Sequence, residues 1–221
     1  MRISDTTMQI LKNFATINAN LLIRPGNRLT SIATTQSVLG TAEVAETFPE
    51  EVPIYDLPNF LSVLSMDKEA DLEFCGEHVM ITANGGTIKY KYADASLLTA
   101  PPENVQIQLE VLFDFSITAK ELADMKKASS LIGASVMSIK CDGEKSTILI
   151  GNPTKPDANQ YSREIGETDV VLRADLDMAR VNFVPDDYDV AVCNPAFVYF
   201  KGKNGGVEYY VSLETSSELN G

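Results

Sequence analysis

The sequence predicts an α+β chain made of two similar domains, each with short helices laid on antiparallel sheets. Three observations predict it. The 221 residues suffice for two modest hydrophobic cores. Helix-like and hairpin-like patterns recur in the same order in both halves. An Asn-Gly-Gly turn stands near the end of each, at Asn84-Gly85-Gly86 and Asn204-Gly205-Gly206.

The first helix follows Ser4-Asp5, either of which can cap free amides, and runs through Met8, Leu11 and Phe14. Its counterpart opens at Thr118, with Glu121 at capping-box spacing. A shift of 114 lays Met8 on Leu122, Leu11 on Met125 and Phe14 on Ala128. A hairpin signal follows each helix. Pro25-Gly26-Asn27 divides Leu21–Ile23 from Leu29–Ile32, and Asp142-Gly143 divides Val136–Ile139 from Thr147–Ile150. A second short helix is expected in each half. Asp56-Leu57-Pro58 starts one, with Leu57, Phe60, Leu61 and Leu64 on one face. Asp175-Leu176 starts the other, with Leu176, Ala179 and Phe183 in line, at a shift of 119. The closing hairpins, around the two Asn-Gly-Gly turns, repeat at a shift of 120. The slow drift fits small insertions in surface loops, and four ordered matches point to duplication. Between the halves, Ala93–Asn104 with Pro101-Pro102 reads as a connector. It leads into a period-2 strand, Val105–Val111. The expected domains are 1–105 and 106–221.

The chain carries a formal charge of −13. Residues 1–110 hold 7 Lys/Arg against 14 Asp/Glu, and residues 111–221 hold 11 against 17, so neither half is basic. An ordinary nucleic-acid binder shows a basic footprint, so any DNA role must overcome net repulsion. Apolar runs are too short to span a bilayer, and the start, Met1–Asp5, has no signal-peptide pattern. Cys75, Cys141 and Cys193, odd in number and widely spaced, argue for a reducing compartment and read as small buried hydrophobes. With one histidine, His78, little is left for a zinc site or a histidine base. Pro185–Asp189 lacks the glycine and terminal glutamate of a calcium loop, and Ser129-Ser130 has no histidine partner. No metal, cofactor or enzymatic activity is expected.

Four stretches resemble the sliding clamps of large tailed bacteriophages. They are Leu11-Lys12-Asn13-Phe14-Ala15-Thr16-Ile17-Asn18, Ile54-Tyr55-Asp56-Leu57 followed by Phe60-Leu61, Lys201-Gly202-Lys203, and Tyr210-Val211-Ser212-Leu213-Glu214. The resemblance runs the length of the chain and is weak in Gln36–Pro53 and Asn152–Thr168. It implies the DNA clamp fold and assembly into a closed homotrimeric ring, with helices around the hole and sheets outside. It further implies an ATP-driven clamp loader, a tethered DNA polymerase, a role with late-transcription factors in related phages, and residence in the cytoplasm of an infected bacterium.

A closed ring traps duplex DNA without tight binding, so a few weak, non-specific phosphate contacts suffice. Polar faces on the helices supply candidates. Gln9, Lys12, Asn13 and Thr16 form a stripe on the first helix, and the repeat carries it to Ala123, Lys126, Lys127 and Ser130, with Lys120 a turn or so earlier. The second helix offers only Asn59, Ser62 and Ser65. On the expected fourth helix Arg173, Asp177 and Arg180 are in line, although the shift of 119 sets Arg180 on apolar Leu61. The DNA-facing candidates are Lys12, Lys120, Lys126, Lys127 and Arg180. Solvated helix faces are the plain alternative. By the same resemblance, a partner peptide would seat near the connector and the C-terminal sheet, at Leu97, Leu98, Tyr210 and Leu213. The plain alternative there is that Leu97 and Leu98 pin the connector to the second domain. Four helices per chain at about 10 Å spacing give a twelve-helix ring with a hole near ~38 Å, against ~25 Å for eight, which favours a trimer. The competing function is an acidic two-domain phage binding protein or DNA-mimicking inhibitor, monomeric or dimeric.

Overall fold

A computed structural model describes residues 1–103, 107–152, 155 and 157–219. The expected boundary at 105/106 and the first two residues of the expected strand Val105–Val111 lie outside the described residues. Contacts group the chain into two compact units. One is Met1–Val105 with Gly205–Val207, and the other is Gln106–Asn204 with Glu208–Gly221.

The first unit begins with α1 (Asp5–Ile17), β1 (Leu21–Ile23), β2 (Gly26–Ile32), β3 (Val38–Phe48) and β4 (Val52–Ile54). It continues with α2 (Leu57–Leu64), β5 (Asp71–Phe74), β6 (His78–Ala83) and β7 (Gly86–Lys91). Ser4 caps α1 by accepting from Thr7 N at 3.2 Å. Ile10, Leu11 and Phe14 are buried, each worth about 2 kcal/mol relative to exposure. The helix lies so close to β3 that a methyl at Gly40 would stand 2.9 Å from Phe14 Cε1 and 3.0 Å from Ile17 Cδ1. Glycine is needed there for the approach. From the same strand Glu46, buried, accepts from Ser4 N and from the Thr7 hydroxyl, which ties down the start of α1. In α2, Asp56 accepts from Asn59 N at 2.9 Å, and Leu57, Phe60, Leu61 and Leu64 are all buried as their spacing predicts. The β6–β7 hairpin turns through Asn84 and Gly85, both at positive φ (49° and 75°), the backbone that a two-residue primed turn requires.

The second unit begins with β8 (Glu110–Ile117), α3 (Ala119–Ile132), β9 (Val136–Asp142), β10 (Lys145–Gly151), β11 (Tyr161–Glu167) and β12 (Val171–Asp177). After a single 3-10 turn, Met178–Arg180, come β13 (Tyr188–Asn194), β14 (Phe197–Gly202), β15 (Val207–Ser212) and the short β16 (Glu218–Leu219). Thr118 and Glu121 form the expected capping box on α3. Glu121 also pairs with Arg163 of β11, so the start of α3, like that of α1, is tied to a strand. The core gathers Leu122 and Met125 of α3, Met137 and Ile139 of β9, and Ile148 and Ile150 of β10. Phe183 stacks on Tyr209 at 4.2 Å between centroids, and the Tyr209 hydroxyl accepts from Val184 N at 3.1 Å.

After β8 the element order repeats that of the first unit: helix, four strands, helical segment, three strands. Pairings repeat as well. β1 pairs with β4 as β9 does with β12, β2 with β3 as β10 does with β11, and β5-β6-β7 run in order as β13-β14-β15 do. Three expectations need correction. Residues Leu21–Ile23 and Leu29–Ile32 do not make a hairpin, because at Pro25, which has no amide, and Gly26 (φ 117°) the chain changes partners. In the second half the strand β12 absorbs Asp175 and Leu176, so the second helix there is only a 3-10 turn. Residues 171–177 pair without a break to β9, and the fully buried Asp175 accepts from Ser138 Oγ at 2.6 Å and Ser216 Oγ at 2.7 Å. Finally, β8 starts at Glu110, and residues 107–109 are not in a strand.

Burial alone would raise the Glu46 pKa, but the hydrogen bonds from Thr7 and Ser4 outweigh it and hold the carboxyl below its ordinary 4.5. A carboxylate with a depressed folded-state pKa adds stability above the unfolded value and loses it as pH falls through the folded one. Glu46→Gln should therefore lower stability near neutrality and abolish that part of the decline below pH ~4.5. Urea midpoints taken from neutral pH downward check this; parallel curves for parent and variant would refute it.

Candidate nucleic-acid interface

The packing of each helix decides which side chains remain free. On α1 the exposed stripe is Asp5, Gln9, Lys12 and Thr16. Asn13, expected on this stripe, is buried instead, because it falls beside Phe14 on the face against the sheet. On α2 the exposed side is neutral, with Asn59, Ser62 and Ser65. On α3 the exposed residues include Lys120, Ala123, Asp124, Lys127 and Ser130. Lys12 and Lys127 form no ion pair among the described residues, whereas Lys120 lies 3.8 Å from Asp124, one turn on.

Lys126 differs from the other lysines. It is half-buried, its Nζ donates to Asn182 Oδ1 at 3.2 Å, and burial pushes its ammonium below the usual lysine range. It stands at one wall of an open cleft of about 440 Å³ between α3 and the 3-10 turn, with Ser129, Ser130, Ser135 and Asp177 among its lining. Asn182 was not legible as a partner, since it follows the turn rather than sharing a helix with Lys126. Arg180 sits on the 3-10 turn, not on a helix, and its guanidinium pairs with Glu214 at 2.6 Å. Arg173, expected in line with it, belongs to β12 and pairs with Asp175 and Glu218.

Charge divides by element. The three α-helices hold four lysines against three carboxylates, a net of one positive charge; with the chain at −13, everything outside them carries −14. Cys141 and Cys193 are buried and Cys75 is exposed; burial, helped by Asp142, pushes the Cys141 thiol up to about 11, which keeps it unreactive. No group of three metal-ligating side chains occurs among the described residues. The turn Pro185–Asp189 is occupied structurally: Asp186 accepts from Asn204 N and Nδ2, and Asp187 from Ala119 N. No helix is long and apolar enough to cross a membrane among the described residues.

The four residues expected at a partner site fall in both units, and each pair is described in its own. In the first unit Leu97 is 66% exposed and Leu98 half-buried, on the segment after β7. That segment is pinned within the first unit, where Thr99 N donates to Asn20 Oδ1 at 3.2 Å and Arg24 to Pro101 O at 2.9 Å. In the second unit Tyr210 and Leu213 are half-buried. The Tyr210 ring lies 4.8 Å from Tyr199 and 6.0 Å from Phe197, which makes an aromatic face on β14 and β15. Tyr199 escaped the sequence reading, although its position opposite Tyr210 follows once the hairpin register is known.

Comparison with solved structures shows the fold class. The chain matches A. fulgidus PCNA, solved with the C-terminal region of FEN-1 bound, at a TM-score of 0.70, with 11% identity and 96% of each chain covered. It matches a PCNA2-PCNA3 complex from Sulfolobus tokodaii at 0.68, with 13% identity, 95% of this chain and 96% of the other. The fold is therefore the two-domain DNA clamp. In sequence, residues 4–95 match the family described as DNA polymerase processivity factor. The sliding clamp of Vibrio phage KVP40 is 29% identical, with 97% of this chain and 99% of the relative covered. That of Enterobacteria phage T4 is 25% identical, with 98% of each covered. The chain is thus similar to phage proteins named sliding clamps over nearly its whole length, and its first unit to the processivity-factor family.

Proposed function

We propose that three copies of this chain close into a ring that encircles duplex DNA and holds a DNA polymerase on its template. The observation that carries the reading is the division of charge: helical faces with free lysines on a chain that is otherwise strongly acidic. In a ring with the helices inward, Lys12, Lys120 and Lys127 would meet phosphate while the acidic remainder faces away. Lys126 and Arg180, each engaged within the fold, would contribute less. The domains are read as residues 1–105 and 106–221, products of one duplication. With three α-helices per chain among the described residues and the 3-10 turn Met178–Arg180 in place of a fourth, a trimer supplies nine helices and three such turns to the lining.

Free strand edges support closure by identical head-to-tail contacts. β7 ends its sheet, with Lys89 and Lys91 exposed and Ile88 and Tyr90 half-buried between them. β11 ends another, with Glu164 and Glu167 exposed and Tyr161 and Ile165 half-buried. Alternating apolar and oppositely charged side chains suit these two edges to each other across copies. Such a ring needs an ATP-driven loader to open it. It would serve in the cytoplasm of an infected bacterium, and the same DNA-bound carrier could recruit late-transcription factors. A polymerase segment would dock near Leu97 and Leu98 or at the Tyr210–Leu213 face. A relative solved with the C-terminal region of FEN-1 bound supports peptide capture as the mode.

Two outcomes are expected. Replacing Lys12, Lys120 and Lys127 together with glutamate should leave the unfolding midpoint within about 0.5 kcal/mol of the parent. It should weaken loading and processive synthesis most at low salt, with the deficit narrowing as salt screens the phosphate contacts. A triple variant that supports synthesis like the parent would refute the pore assignment. Native mass measured across concentration should show a species near three times 24.1 kDa. Lys89→Glu should deplete it, and Glu167→Lys in the same chain should restore it. A monomer or stable dimer at all concentrations would instead favour the inhibitor reading.

A further inference from the structure

A third free edge differs from those two. β8 is the last strand of its sheet among the described residues and pairs only with β13, from Ile117 opposite Tyr188 to Glu110 opposite Asn194. Exposed edges are commonly guarded by lysine, proline or a covering segment. The eight residues Glu110–Ile117 contain neither lysine nor proline, and only a bulge near Leu112 interrupts the pairing. The strand is instead apolar and acidic. Val111 is 49% exposed, and Leu109 just before it is 41% exposed. The Phe113 and Phe115 rings stack at 5.8 Å and are half-buried, on the face shared with Val192 and Val190. On the opposite face Asp114 is exposed beside Ala191, with Val111 beside Cys193. Glu110, beyond the bulge at the strand end, lies opposite Asn194 on the Phe113 face, is exposed and accepts from Asn194 Nδ2 at 2.8 Å.

We propose that β8 is a docking strand for an extended segment of a partner protein in which lysine or arginine alternates with aliphatic or aromatic residues. The backbone edge supplies hydrogen bonds to an added strand. Phe113 and Phe115 supply apolar contact on one face. Asp114 selects a basic side chain on the other face and Glu110 a second one at the strand end, within a chain whose net charge of −13 already attracts them. This surface is separate from the Tyr210 face. β14 and β13 lie between β15 and β8, which sets the two about 14 Å apart at ordinary strand spacing. It also goes beyond the ring, since an edge taken up by a partner is unavailable for closure.

The test uses the full chain and an acetylated peptide of about eight residues alternating lysine with valine, matched to a β-strand of that length. A second peptide of the same sequence carries N-methyl groups on alternate amides, which keeps the charge and blocks strand pairing. The first should bind saturably and slow amide exchange in β8. The N-methylated peptide should bind at least about tenfold more weakly, as should the first peptide to the Glu110→Lys/Asp114→Lys variant. Tyr210→Ala should leave the affinity unchanged. Equal binding of both peptides, undiminished binding to the charge-reversed variant, or protection at β15 in place of β8 would overturn the proposal. So would loss of self-association in the charge-reversed variant without peptide, which would assign β8 to a contact between copies.

Discussion

The contact on which the remainder depends is the close seating of a helix on a strand. At Gly40 the backbone of β3 comes near enough to Phe14 and Ile17 that no side chain fits between them, and Glu46 of the same strand holds the start of α1. This fixes the rotation of the helix about its own axis. Ile10, Leu11, Asn13 and Phe14 are committed to the interior, and Gln9, Lys12 and Thr16 are left outside. The second unit solves the same problem with other residues. Leu122 and Met125 anchor α3, and Glu121 reaches Arg163 on β11. The acid comes from the strand in one unit and from the helix in the other, yet each ties a helix start to a strand.

The free helix faces gain their chemistry from what they lack. Apart from Asp5, Glu121 and Asp124 they carry no carboxylate, and Glu121 is already paired. In a chain with 31 acidic residues that is fewer than an even spread would place there, and with four lysines it leaves the three α-helices slightly positive. A handful of solvated lysines gives weak, salt-sensitive attraction to phosphate without sequence preference. That strength suits a protein held by topology, because tight contacts would resist sliding. The lysine withdrawn to Asn182 and the arginine bound to Glu214 show that positive charge alone does not place a residue on such a face.

Much of the architecture was legible because it rests on local rules. The caps at Ser4 and Thr118, the buried face of α2 and the turn at Asn84-Gly85 follow from residue type and spacing, and the structure shows each of them. What was missed depends on contacts distant in sequence. Asp175-Leu176 reads locally as a helix start, but pairing with β9 and the hydroxyls of Ser138 and Ser216 hold it in a strand. Leu21–Ile23 reads as half of a hairpin, yet its partner is Val52–Ile54, some thirty residues on. The site shows the same limit. The exposure of Lys12, Lys120 and Lys127 follows from helical periodicity, whereas the fates of Asn13, Lys126 and Arg180 were set by neighbours that periodicity does not reveal.

The central claim is that the protein holds DNA by enclosing it rather than by gripping it. Retention after loading onto circular and linear duplexes of equal length and sequence measures this directly. The protein should stay on the circle after free protein is removed, including at salt that abolishes ordinary phosphate contacts, and should run off the linear form unless both ends are blocked. Equal loss from circular and linear DNA as salt rises would contradict enclosure and leave only surface attraction.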